Sequence, residues 1–211
     1  MFDYFLEFDI KVFEWIQGIQ NVFLNYFMLV VTSLGDAGII FIIIGLIFFL
    51  TKKNRKAGFT MLIALLVMLI CNDLFLKEFF ARPRPFDLFG TDQEKYAWWN
   101  EIYSYPHIVI DRPDSFSFPS GHTSSAFAAS IALLWYDRKK GIPLTLFAAL
   151  MGFSRIYVEV HYCTDVIAGV ISGTICAFIG VLIVKFLFPY VEKGMNKLEE
   201  KTKSKKRVKS K

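Results

Sequence analysis

Residues 57–85 read AGFTMLIALLVMLICNDLFLKEFFARPRP. Ala57–Phe80 is dominated by apolar side chains, with Asn72, Asp73, Lys77 and Glu78 gathered near its end. About 20 apolar residues in a helix cross the hydrocarbon of a bilayer. Proline cannot continue a helix, so Arg82-Pro83-Arg84-Pro85 releases the chain. The stretch therefore predicts a crossing helix that ends in a group of cations.

Working outward, further apolar runs follow the same rule. Of 211 residues, 55% are hydrophobic, 23 are Phe and only 20% are charged. A soluble domain carries fewer apolar and more charged residues, and disordered, collagen-like and disulfide-rich chains are excluded. Six spans are expected, at roughly 22–34, 37–50, 57–80, 121–136, 142–160 and 165–189. The first two come from splitting Val22–Leu50 at Gly35-Asp36-Ala37-Gly38, read as a tight turn. The alternative is one tilted span, which would put the N-terminus outside. Phe2, Phe5, Leu6, Phe13 and Ile16 recur near helical period, which predicts an interfacial helix on the inner side or an extension of span one. The fold class is thus all-α: a six-span transmembrane bundle with an N-terminal interfacial helix. Residues 1–190 form a single membrane-embedded domain and 191–211 a basic tail read as unstructured.

Charge placement orients the bundle. Lys52-Lys53-Asn54-Arg55-Lys56, Asp137-Arg138-Lys139-Lys140 and the tail follow spans two, four and six. The positive-inside rule puts all three in the cytoplasm, with both termini, in a multi-pass cell-membrane protein. Lys193–Lys211 carries nine Lys/Arg and two Glu, so the net +5 is a tail of +7 on a body of −2. No nucleic-acid partner is expected; the tail suits anionic membrane lipids. Cys71, Cys163 and Cys176 form no paired framework.

Ionisable groups beside spans are costly and usually functional. Here they converge on the outer end. Lys77, Arg82 and Arg84 suit an anion with several oxygens, Arg as a fork and Lys as a point charge. Pro119-Ser120-Gly121-His122 opens a span, where unsatisfied N–H groups form an anion cradle. His161 and Asp165 lie four apart, so the carboxylate can fix the imidazole tautomer. Arg155 lies six before His161, about 240° around a helix, so the chain must leave the helix between them if both serve one site.

The joint pattern resembles the type 2 phosphatidic acid phosphatase (PAP2) superfamily, whose signature is K-x6-R-P, P-S-G-H and S-R-x5-H-x3-D. Lys77 with Arg84-Pro85, Pro119–His122, and Ser154-Arg155 with His161 and Asp165 match every spacing. The resemblance implies that His161 attacks phosphorus to form a phosphohistidine and Asp165 supports it. It implies that His122 protonates the leaving oxygen and then activates water. Lys77, Arg84, Ser120, Gly121 and Arg155 would bind phosphate, with Arg82 a possible assistant. No cofactor is implied, and no Cys/His or acidic cluster has metal-site spacing. The family commonly carries Gly where Glu159 stands and Pro where Cys163 stands. The Glu159 carboxylate could approach His161 and raise its pKa, or point away and pair with a base such as Arg155. Asp73 is expected to pair with Lys77.

The expected substrate is a phosphorylated lipid met at the outer face: undecaprenyl diphosphate, phosphatidylglycerol phosphate, phosphatidic acid or similar. Alternatives are a phosphotransferase to a lipid acceptor and a non-enzymatic anion transporter. Within the outer connection Asp87–Phe118, Thr91 and Glu94 have capping-box spacing before Tyr96, Trp98, Trp99, Ile102 and Tyr103. This suggests a short interfacial helix, either a lid or an anchor. Sequence does not choose the oligomeric state.

Overall fold

Apolar side chains at every azimuth, as in Ile39–Leu50 (IIFIIIGLIFFL), can be tolerated only in a core or in lipid, and they set the architecture. The structure is a computed structural model and describes residues 2–35, 38–89 and 113–209; the Thr91–Tyr103 segment and His107 lie outside them. Among the described residues every regular element is helical: α1 (Asp3–Ile19), α2 (Val22–Leu34), α3 (Ile39–Leu50), α4 (Arg55–Met68), a π-helical stretch (Leu69–Leu76), α5 (Lys77–Phe80), α6 (Pro85–Phe89), α7 (Gly121–Tyr136), α8 (Arg138–Tyr157) and α9 (Cys163–Lys209), besides a 3-10 turn at Lys52–Asn54. The segments Lys52–Leu88 and Cys163–Leu198 are each long and apolar enough to cross a membrane.

α4, α7, α8 and α9 form the bundle. Its core is built of small residues, with Ala64, Ala126, Ala129 and Ala132 fully buried beside Met61 and Met151. α7 meets α9 at backbone distance. A Cβ on Gly173 would lie 2.4 Å from the Ser124 carbonyl oxygen, so only glycine fits that crossing. Lipid-facing surfaces carry Phe75, Phe79, Leu146, Leu182 and Phe186 instead.

Val22–Leu50, expected as two spans, carries the two helices α2 and α3. Asn25 meets Tyr157, Thr32 meets Arg155, and Gly35 lies against Met151, so α2 runs back along α8 away from its C-terminal end. α3 continues in the same sense with a bend of 51°. Successive crossings need a reversal near 180°, and α2 and α3 together are long and apolar enough to cross as a bent pair. α1 differs from expectation. Its buried face, Asp9, Phe13 and Ile16, is seated beside Arg82 and Tyr162, at the end opposite the Lys56 and Lys140 segments. A buried carboxylate needs a cation, and the available one is at that end. The fifth expected span ends at Tyr157, three residues early, and α9 continues to Lys209 where an unstructured tail was expected.

Candidate active site

The three sequence clusters meet at one end of the bundle. Lys77 follows the π-helical stretch directly, a helix form often found at functional sites. Its Nζ lies 2.6 Å from Asp73 Oδ1, the expected pair. A Cβ on Gly121 would stand 3.1 Å from Asp73 Oδ1 and 3.2 Å from Lys77 Nζ, so the bare glycine lets the lysine stand at the N-terminus of α7. Ser120 precedes that helix but makes no capping bond. Its hydroxyl accepts from Thr123 Oγ1 at 3.0 Å, and its N–H donates to the Asp165 carbonyl oxygen at 3.1 Å, joining the second cluster to the third. His122, two residues on, is half-buried beside Gly35.

After Tyr157 the chain leaves the helix, as the Arg155–His161 spacing requires. The Arg155 carbonyl accepts the N–H groups of Val160 and His161, each at 3.3 Å, and closes a tight turn. This turn carries both side chains to one place. Arg155 is buried and donates to Thr32 Oγ1 from α2.

His161 is buried, and its two nitrogens face different chemistry. Nδ1 is 3.5 Å from Asp165 Oδ2 and 3.4 Å from Ser117 Oγ. Nε2 is 3.3 Å from Arg84 Nη1. A guanidinium only donates, so Nε2 presents its lone pair and the imidazole hydrogen sits on Nδ1. Burial holds the imidazole well below its ordinary pKa, with Arg84, Arg155, His122 and Lys77 adding repulsion of the protonated form. The side chain is therefore neutral, with its free nitrogen turned to the cations. Arg84 is held by the Ser115 carbonyl at 2.6 Å and the Val160 carbonyl at 2.9 Å, which sets its fork in place. Asp165 accepts from Ser117 Oγ, from the Tyr162 N–H at 3.0 Å, and from Arg82.

Arg82 and Glu159 stand apart from their expected roles. Arg82 is buried between the Phe2 ring at 4.4 Å and the Tyr162 ring at 3.8 Å, and its fork holds Asp9, Asp165 and Thr164. It is committed to two carboxylates. Glu159 sits at φ +55° in the turn after α8, fully buried, and among the described residues neither carboxylate oxygen has a hydrogen-bond partner. No base among the described residues pairs with it. Left-handed backbone costs a non-glycine residue about 1 kcal/mol, and an unpartnered buried carboxyl costs more. Glu159→Gly is expected to unfold about 2–6 °C higher than the parent with activity retained. Differential scanning calorimetry checks this, and a lower transition temperature would refute it.

Ser117, Asp9 and Thr32 were not singled out by sequence reasoning, and no motif marks them. Among the described residues no three His, Cys, Asp or Glu come together as metal ligands would.

A cavity of about 670 Å³ opens beside Lys77, Gly121 and His122, between α3, α4 and α7. Its walls are mainly apolar, with Ile42, Leu62, Leu65, Leu66 and Leu69 among them.

Residues 55–189 match the family model described as the PAP2 superfamily. The chain is 30% identical over 184 residues to a Bacillus subtilis protein named undecaprenyl-diphosphatase BcrC, covering 86% of this chain and 87% of that one. It is 30% identical over 178 residues to a Porphyromonas gingivalis lipid A 4'-phosphatase, covering 82% and 71%. Among solved structures, Aquifex aeolicus LpxE superposes with TM-score 0.62 at 25% identity, over 82% of this chain and 93% of that one. A PAP2-type phosphatidylglycerolphosphate phosphatase from Bacillus subtilis superposes with TM-score 0.63 at 25% identity, covering 85% and 86%. With the motifs gathered at one site and the family model spanning most of the bundle, the chain belongs to the PAP2 superfamily.

Proposed function

We propose that this membrane phosphatase hydrolyses a lipid phosphate or diphosphate through a phosphohistidine on His161. The observation that carries the reading is the Nε2 lone pair of His161, facing Arg84 while Nδ1 faces Asp165 and Ser117. In the first step Nε2 bonds to phosphorus and the P–O bond to the leaving group breaks. His122 gives that oxygen its proton. In the second step His122 takes a proton from water, the oxygen attacks phosphorus, and the P–N bond breaks, restoring His161. Lys77, Arg84, Arg155, Ser120 and the Gly121 N–H hold the phosphoryl oxygens, where fixed charge lowers the barrier. No metal enters this scheme.

The mainly apolar cavity supports a lipid substrate, its tail between α3 and α4 and its headgroup at the cations. The relatives' printed substrates, undecaprenyl diphosphate and lipid A, are of this class. Residues 1–190 then act as one catalytic domain of the cell membrane. The basic ends of the bundle, with Lys140 bonded to Asn54, lie opposite the site, which supports an outward-facing site. With Val22–Leu50 as one broken crossing, the layout we favour has five crossings, the N-terminus outside and the C-terminus inside. An N-terminal topology reporter that reads cytoplasmic would restore the six-span layout.

The test is phosphate release in detergent from C55 diphosphate, phosphatidylglycerol phosphate, phosphatidic acid and a soluble phosphate ester. At least one lipid is expected to exceed the soluble ester by about tenfold or more in kcat/KM, with EDTA without effect. Equal turnover of all four sinks the lipid reading. The acid limb of kcat/KM due to His161 is expected below pH 6.5, the ordinary imidazole value. Its nucleophilic form is neutral, and burial with four cationic neighbours disfavours protonation, so activity persists as pH falls through 6.5. A limb above 6.5 in the pH–rate profile contradicts that environment.

A further inference from the structure

We propose that Asp9 of the N-terminal helix is a positioning residue for the reaction, acting through Arg82 and Asp165 on His161. The inference rests on the phosphohistidine reading and extends it to a helix outside the motif-bearing part of the chain. Asp9 has no exposed surface, although it lies on a helix whose Tyr4, Phe5, Phe8 and Trp15 are exposed. Burying a carboxylate is costly unless it is paired and hydrogen-bonded. Here it is both. Oδ2 accepts from Arg82 Nη2 at 2.9 Å and from Thr164 Oγ1 at 2.7 Å, and Oδ1 accepts the Thr164 N–H at 3.0 Å. Arg82 turns its other terminal nitrogen, Nη1, to Asp165 Oδ1 and to Thr164 Oγ1 at 2.8 Å.

The consequence is geometric. Asp165 has two oxygens and two duties. Oδ2 faces Ser117, the Tyr162 N–H and the His161 ring, while Oδ1 is taken by Arg82. The guanidinium is planar, so fixing Nη2 on Asp9 fixes the direction of Nη1 and with it the rotation of the Asp165 carboxylate. The Phe2 and Tyr162 rings hold the fork from both sides. Without Asp9, Arg82 can swing toward Asp165 alone and pull the carboxylate off the line that orients Nδ1. Small displacements of an orienting group cost rate and leave binding of the headgroup largely untouched.

The experiment compares the full chain with Asp9→Asn, Thr164→Val, Asp165→Asn, His161→Ala and the Asp9→Asn/Asp165→Asn double variant in detergent. Asp9→Asn is expected to lower kcat by on the order of 10-fold or more with KM within about twofold. Thr164→Val keeps every charge and nearly the same shape, and it removes only the hydroxyl joining Asp9 to Arg82. It is expected to lower kcat in the same way by a smaller factor, and it serves as the test if Asp9→Asn does not fold. Because Asp9 acts through Asp165, the double variant should be no slower than Asp165→Asn. Parental kcat in folded Asp9→Asn or, failing that variant, in Thr164→Val, or a further loss in the double variant, overturns the proposal. If His161→Ala is active, the phosphohistidine reading fails. If His161→Ala is dead while Asp9→Asn is normal, only the positioning role fails.

Discussion

His161→Ala is expected to lower kcat by about four orders of magnitude or more while the chain stays folded. The imidazole supplies the bond that splits hydrolysis into two easier steps, and among the described residues the other imidazole of the site, His122, is already engaged in proton transfer in the proposed scheme. Arg84 and Arg155 carry no lone pair at neutral pH, and Lys77 is paired to Asp73. A Ser117 hydroxyl stands on the Nδ1 side, away from the cation cluster. The alanine leaves a gap in a buried site, so some stability is lost, but the fold rests on the bundle core described above. Rapid acid quench with 32P-labelled substrate provides a second readout. The parent should trap an acid-labile phosphoenzyme, and the variant should trap none. Near-parental turnover in folded His161→Ala would refute the mechanism.

Asp165→Asn is expected to cost about 10³–10⁴ in kcat, with a measurable loss of stability. The carboxylate receives the Arg82 fork, the Ser117 hydroxyl and the Tyr162 N–H, all donors. An amide has one oxygen to offer and must turn its NH2 toward one of these donors. The Nδ1–H form of His161 then loses its acceptor, and the other tautomer, which blocks Nε2, gains ground. Arg82 retains Asp9, so the buried charge is not orphaned. The destabilisation should therefore fall below the 3–5 kcal/mol typical of breaking a buried pair outright. Kinetics with parallel thermal unfolding checks both parts; parental kcat would show that the carboxylate is not needed.

Much of the candidate site was legible because its chemistry is local in sequence. Lys77 and Arg84 flank a helix end, Ser120–His122 open a helix, and Arg155, His161 and Asp165 share one turn. Spacing and proline placement fix such local geometry, and the three pieces meet as expected. What was not legible depends on contacts between distant elements. Arg82 looks like Arg84 in sequence, two residues away and also before proline. The approach of Asp9 and Asp165 is what commits Arg82 to two carboxylates. Asp9 is one of several charged positions on α1, and no local motif marks it. Val22–Leu50 was ambiguous because a break at Gly35–Gly38 can either reverse or bend a helix. Glu159 shows the opposite case: the family's glycine at that position was a sequence clue to left-handed backbone, and the structure has it there at φ +55°.

The crossing of α7 and α9 at Gly173 has a consequence for how such an enzyme can change its substrate. The helices bearing Ser120–His122 and Asp165 touch through main chain, so neither can slide or tilt without a steric clash. Headgroup chemistry is thus cast into a stiff half of the molecule. The other half, the α3–α4 wall of Ile42, Leu62, Leu66 and Leu69, consists of side chains facing open space. There, volume can be traded residue by residue without disturbing the reacting groups. If that wall holds the substrate's tail, as proposed, a bundle divided in this way can keep one phosphate chemistry while the wall is recut for a polyprenyl chain or a diacyl anchor.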